Sequence, residues 1–209
     1  MSAAVPPISG RAVAAIIGWE VTDKETYLAS NARPTWPGDA SGVTIGIGYD
    51  LGYEDTFRAD WQAHLPAADV DRLAEVTGRF GHAAVNVLGR LRDVVIPWDA
   101  AIAVFRDATL PRETAKTLAI YPQAGQLSPD SLGALVSLVY NRGPSLAGER
   151  RREMAAIRDA LAEGRFVDVP QLLRAMKRLW PNTRGLRDRR DGEALLFEAG
   201  LPQSLVEIG

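Results

Sequence analysis

The chain has 209 residues, 46% of them apolar and 24% charged, with a formal net charge of −2. This length and balance describe one ordinary globular domain, or one domain with two lobes, that can bury its own core. It contains no cysteine, which excludes disulfides, thiolate metal sites and cysteine nucleophiles. The charge is uneven: residues 1–110 hold 14 acidic and 9 basic groups, while residues 111–209 hold 12 and 15. The basic excess is densest at Arg174, Lys177, Arg178, Arg184, Arg187, Arg189 and Arg190. Two explanations stay open for that stretch: attraction to an anionic polymer, or a solvated helix face with local ion pairs. Nucleic acid is not expected as a partner, because the chain as a whole is mildly acidic and carries no recognition motif.

Ser9 precedes Ala12, Ala15, Ile16 and Trp19 at helical spacing, so it is expected to cap a first helix over 10–20. The apolar run from Ala12 to Trp19 is too short to span a bilayer and has no basic leader segment. Neither a signal peptide nor membrane insertion is expected. Glu20 falls in the last turn of this helix, where the dipole disfavours a carboxylate, so helix stability does not explain it. Between Ala29 and Asp50, Pro34, Pro37, Gly38, Gly42, Gly46 and Gly48 break any helix. There V-T-I-G-I-G-Y reads as an alternating strand in one small hairpin or three-stranded sheet.

After Gly52 the pattern is helical. Asp55 is placed to cap a helix containing Phe57, Trp61 and Leu65, and further helices are expected over 68–80, 83–94, 98–120, 130–140, 149–163, 169–179 and 187–197. The segment S-L-G-A-L-V-S-L-V-Y, capped by Ser128 or Asp130, is the most apolar and is expected to form a buried central helix. The layout predicts an α+β fold, mostly α. A small β-containing lobe would cover 21–60, and a helical lobe would combine 61–209 with the helix at 10–20.

Hydrolysis of a glycosidic bond needs one protonated carboxyl beside the leaving oxygen and one ionised carboxylate across the sugar. Different surroundings separate the two roles. Glu20 follows Trp19 at the end of an apolar helix, whereas Asp50 ends the glycine-rich strand. Thr44 shares the parity of Asp50, so both belong to one strand face and the Thr44 hydroxyl is placed to orient a water. His64 and His82 lie in separate segments without ligand spacing, so neither a metal nor a cofactor is expected. Gly46-Ile47-Gly48 is not a phosphate loop, as no Gly-Lys-Ser/Thr follows. Trp19, Trp61, Trp98 and Trp180 are assigned to the core. Trp36, between two prolines, either stacks on a ligand or covers the hairpin.

Four blocks, in order over residues 10–198, carry a family resemblance. They are Glu20 with Tyr27 seven residues on, Gly42-Val43-Thr44-Ile45-Gly46-Ile47-Gly48-Tyr49-Asp50-Leu51-Gly52, Ser137-Leu138-Val139-Tyr140-Asn141-Arg142-Gly143, and Gly185-Leu186-Arg187-Asp188-Arg189-Arg190-Asp191-Gly192-Glu193. Together they resemble the phage-type lysozyme superfamily, and the Y-D-L-G ending is closer to its pesticin-like muramidase branch. The resemblance implies a lysozyme-like fold with a β-hairpin lobe and a helical lobe. It also implies an inverting hydrolase of the β-1,4 bond between N-acetylmuramic acid and N-acetylglucosamine in peptidoglycan. Glu20 would be the general acid and Thr44 would hold the attacking water. The second carboxylate would be Asp50 in the pesticin-like pattern, or Asp39 in the commoner phage pattern.

Tyr49, Asn141, Arg142 and Arg187 would contact substrate. Asn141-Arg142-Gly143 is equally an ordinary helix C-cap, and Arg187 equally a surface ion-pair partner. The implied partner is the glycan strand, joined by an inhibitor or immunity protein if the chain is a toxin; a monomer is expected. Made in the cytoplasm, such a protein would reach the wall by lysis or another delivery system, as an endolysin, a bacteriocin-like toxin or a secreted effector. Two alternatives remain open: a lytic transglycosylase, with one acid and no activated water, and a lysozyme-fold module that binds without cutting.

Overall fold

The computed structural model describes residues 5–202, and the ends of the expected 1–209 domain lie outside them. The described fold is α+β and mostly α. Its helices are α1 (Gly10–Val21), α2 (Lys24–Thr26), α3 (Phe57–Trp61), α4 (Ala67–Ala74), α5 (Gly81–Leu88), α6 (Trp98–Val104), α7 (Leu110–Ile120), α8 (Pro129–Arg142), α9 (Arg152–Ala162), α10 (Val169–Ala175) and α11 (Arg184–Ala199). Two short strands, β1 (Thr44–Ile45) and β2 (Tyr49–Asp50), form an antiparallel pair. The residues fall into two compact units. A helical unit combines the described residues up to Trp19 with those from Pro111 on, and a hairpin unit comprises Glu20–Leu110. None of the described helices is long and apolar enough to cross a membrane.

In the helical unit the core is built around α8, whose residues from Ser131 to Val139 are all buried. Ser128 caps this helix, its hydroxyl accepting from Ser131 N at 3.2 Å. Pro129 occupies the first turn, where its missing N–H is no loss. Gly143, at φ 73°, ends the helix with its N–H on Val139 O at 2.6 Å. α11 lies along α8, and α10 packs on both α11 and α9. The first helix adds Ala12 and Ile16, fully buried, and Ser9 caps it by accepting from Ala12 N at 3.0 Å.

In the hairpin unit, Val43, Ile45, Ile47, Tyr49 and Leu51 are all buried, together with Tyr27, Phe57 and Trp61. The expected small hairpin is present, but the run read as one alternating strand holds both of its strands and the turn between them. Gly46 and Gly48 take φ of 58° and 68°, which turns the chain back on itself at no steric penalty. The register pairs Ile45 with Tyr49 and Thr44 with Asp50. With Ile47 at the apex, odd positions stay inside on both strands, so the period-two pattern runs through the turn unbroken. A bridge between Thr35 and Thr44 adds a third extended segment.

Other boundaries differ from the sequence expectation for local reasons. Asp55 does not cap α3: Thr56 precedes it, with its hydroxyl donating to Asp60 Oδ2 at 2.9 Å. The helix expected over 68–80 stops at Ala74. Gly78 then turns at φ 69° and gives its N–H to Leu51 O at 3.0 Å, a tertiary bond. The helix expected over 98–120 is interrupted by a π-helical stretch at Phe105–Thr109, just before Pro111. Proline cannot donate to the carbonyl four residues back and its ring crowds that turn, which the wider spacing relieves.

Candidate active site

Glu20 is half-buried in the last turn of α1, directly after the half-buried Trp19. The helix ends one residue later because Thr22 adopts φ 63°, with Asp23 N–H donating to Val21 O at 2.8 Å. A positive φ on a β-branched residue stores roughly 1–3 kcal/mol of strain. Asp23 then caps α2, its carboxylate accepting from Thr26 N at 2.7 Å. That backbone hydrogen bond holds its pKa below the usual carboxylate value. Tyr27 is fully buried, and its hydroxyl donates to Ile96 O at 2.9 Å. Burial pushes the phenol's pKa up, and the residue fixes the segment that follows Glu20.

Thr44 and Asp50 are directly opposite on β1 and β2. Such pairs have Cβ atoms about 4.5–5.5 Å apart. Both side chains are half-exposed, on the face turned away from the core. The Asp50 carboxylate is held by backbone: Oδ1 accepts from Gly52 N at 2.8 Å and Gly42 N at 3.1 Å, while Oδ2 shares the Gly42 N–H at 3.1 Å. A carboxylate has about four lone-pair sites, so Asp50 keeps acceptor capacity beyond these three contacts. Both glycines sit where a β-carbon would be crowded. A β-carbon on Gly42 would lie 2.5 Å from Gly52 N, and one on Gly52 would lie 2.6 Å from the Phe80 ring.

Tyr49 is only 3% exposed, its hydroxyl donates to Asp60 Oδ2 at 2.7 Å, and its ring meets Trp61 edge-on at 5.5 Å. It packs the hairpin onto the core rather than facing solvent. Asp39 is exposed on the preceding loop at φ 49°, and among the described residues its side chain has no hydrogen-bond partner. Trp36 is half-buried and donates to Ser41 O at 3.0 Å, so it covers the loop before the hairpin.

The helical unit carries the remaining expected residues. Asn141 Oδ1 accepts from Arg190 at 3.2 Å. Arg142 donates to Arg150 O at 2.7 Å and stacks on Trp180 with its guanidinium carbon 4.8 Å from the ring centre. Burial, reinforced by Arg151, Arg190 and Arg150, pushes the Arg142 pKa down to about 10. Arg187 is half-exposed, and its side chain makes no hydrogen bond or ion pair among the described residues. Trp19, Trp98 and Trp180, expected in the core, are all half-buried, whereas Trp61 is fully inside.

Sequence reasoning singled out Arg187 but missed the buried cluster beside it in the chain. Arg189, Arg190 and Glu193 are buried on α11, and Ser137 on α8 joins them. Glu193 Oε1 accepts from Ser137 Oγ at 2.6 Å, from Arg190 at 2.8 Å and from Arg189 at 3.3 Å. Arg189 also donates to Ser137 O at 3.1 Å and lies over the Trp19 ring at 5.5 Å. The R-R-x-x-E spacing was the available signal, since i, i+3 and i+4 positions share a helix face.

The basic stretch is largely neutralised in place. Arg174 binds both oxygens of Glu198 at 2.5 and 2.9 Å, Lys177 binds Asp191 at 2.7 and 2.9 Å, and Arg178 binds Glu153 at 2.5 and 3.1 Å. Of the two explanations offered for it, local ion pairing holds for these three residues. Compared with known proteins, the chain matches no family model and no curated sequence.

Proposed function

We propose that the chain is a muramidase: it hydrolyses the β-1,4 bond between N-acetylmuramic acid and N-acetylglucosamine in bacterial peptidoglycan, with inversion. The observation that carries this reading is the cross-strand pair of Thr44 and Asp50. A hydroxyl and a carboxylate face away from the core side by side, and backbone N–H groups fix the carboxylate. A water bridging Thr44 Oγ1 and Asp50 Oδ2 attacks the anomeric carbon and gives its proton to Asp50. Glu20 donates a proton to the leaving oxygen as the carbon–oxygen bond breaks, the two-carboxyl scheme of inverting glycosidases. Because Oδ1 is occupied by Gly42 and Gly52, Oδ2 is the oxygen that serves as base. Asp50 rather than Asp39 is assigned this role, since the Asp39 carboxylate has no ordering partner among the described residues and is not paired with a threonine across a strand.

The test is digestion of purified peptidoglycan sacculi, with products read by mass and by NMR. The account expects reducing N-acetylmuramic acid ends that appear first as the α-anomer. An anhydro sugar product would make the protein a transglycosylase. Folded protein that sediments with sacculi yet releases nothing would make it a binding module.

A further inference from the structure

Outside the residues already assigned chemistry, the hairpin unit displays one ordered aromatic feature to solvent. Tyr53 is 67% exposed and Phe80 39% exposed, and their rings lie 4.8 Å apart at a 59° tilt. Apolar rings left at the surface in contact with each other, rather than singly, call for an explanation. Backbone contacts hold both in place. Tyr53 N–H donates to Asp50 O at 3.1 Å, and its hydroxyl donates to Ala40 O at 3.3 Å. The turn carrying Phe80 is tied to the hairpin by Gly78 N–H on Leu51 O and Gly81 N–H on Ser41 O, each at 3.0 Å. The pair adjoins the candidate site. A β-carbon on Gly52 would lie 2.6 Å from the Phe80 ring and 3.0 Å from Asp50 Oδ1, so ring and carboxylate are neighbours across that glycine.

We propose that Tyr53 and Phe80 form a stacking platform for one N-acetylated hexose ring of the glycan strand, next to the sugar that is cleaved. The identity of the strand rests on the muramidase reading; the platform itself rests on the aromatic pair. Size selects the occupant. Two aromatic side chains offer on the order of 150–250 Å² each, far below the roughly 800 Å² per partner of a stable protein interface. A second copy of the chain or a protein partner would need much more surface than this. A pyranose ring fits: its axial C–H face is apolar, and its rim of hydroxyl and acetamido groups needs hydrogen-bond partners. The Ala40 carbonyl, on the loop that Tyr53 touches, supplies an acceptor. Because the rings are already fixed, little ordering entropy is lost on binding.

The test uses the full chain and soluble β-1,4-linked N-acetylglucosamine oligomers from dimer to hexamer. Binding is followed through the ring-proton signals of Tyr53 and Phe80, and hydrolysis of sacculi is measured in parallel. The platform predicts that these ring signals shift on titration. It also predicts that Tyr53→Ala with Phe80→Ala weakens hexamer binding roughly ten- to hundredfold, the scale of ring-on-ring stacking. KM on sacculi should rise with little change in kcat, and Tyr53→Phe, which keeps the ring but loses the hydroxyl bond to Ala40, should weaken binding far less than the double variant. Both rings are exposed, so the double variant should keep its melting temperature, which is checked first. Oligomers that fail to bind, or bind without moving these signals, would overturn the platform, as would an unchanged KM in the double variant. Ring shifts in a protein that leaves sacculi uncut would support the platform while sinking the muramidase reading.

Discussion

The hairpin unit and the helical unit each organise a carboxylate, Asp50 in the first and Glu193 in the second. Asp50 is gripped by the backbone N–H groups of two glycines and stays half-exposed. Glu193 is fully buried and bound by two guanidiniums and a serine hydroxyl. The first arrangement holds the carboxylate with neutral N–H donors and leaves it half-exposed to solvent. The second cancels the charge and shuts out solvent, which suits a residue that holds α8 and α11 in register. Immobility alone therefore does not mark a site. What marks it is a group held still while its reactive atom remains reachable.

The contrast can be broken most forcefully at Glu193. Glu193→Ala removes the carboxylate shared by two buried arginines and should destabilise the fold by roughly 3–5 kcal/mol. At about 2–4 °C per kcal/mol for a chain of this size, the melting temperature should fall by roughly 10 °C. A fall of about 2 °C or less would mean the cluster is not the structural tie described here. Asp50→Asn should behave the opposite way. Stability should drop by only about 1–3 kcal/mol as the charge-assisted bonds weaken, while lysis falls on the order of a hundredfold to ten-thousandfold. Asp39→Asn is the control and should retain activity. If it is the inactive variant and Asp50→Asn is not, the glycine-held carboxylate is only a clasp.

Smaller effects sharpen the same contrast. Thr22→Gly, at the turn that ends α1, should raise stability by about 1 kcal/mol, because strain relief exceeds the added freedom of the unfolded chain. A calorimetric melting temperature equal to or below the parent's would show that Thr22 is unstrained. Converting Arg174, Lys177 and Arg178 together to Gln should matter least. Each already faces a carboxylate, and such surface pairs contribute about 0–1 kcal/mol. Lysis should keep nearly the same dependence on salt, and a steep loss confined to low salt would restore a steering role for the stretch.

Local patterns in the sequence carried much of this. Ser9 and Ser128 sit at helix starts, Gly143 at a helix end, and the parity of Thr44 and Asp50 put both on one face although the run read as one strand holds both strands of the hairpin. That parity survived because a three-residue turn preserves it. What could not be read was non-local. Nothing near Ser137 in the chain announces that its hydroxyl meets Glu193, 56 residues away. Asp50's partners are the backbone N–H groups of Gly42, eight residues before it, and Gly52, two after, and neither contact is marked in the local pattern. The π-helical stretch before Pro111 was not legible in the apolar pattern alone. Tyr49 looked like a cleft residue by its neighbourhood in the motif, yet its odd parity put it with Ile45 and Ile47 inside.

The central claim, that Glu20 donates the proton on which glycan cleavage depends, is tested most directly by Glu20→Gln. The substitution keeps the size of the half-buried side chain in the last turn of α1 and removes its acid. Reducing-end release from purified sacculi should be compared between parent and variant at equal folded concentration, with melting temperatures measured alongside. The account predicts a loss on the order of a hundredfold to ten-thousandfold with the melting temperature preserved. Release by the variant at close to the parent rate would contradict it.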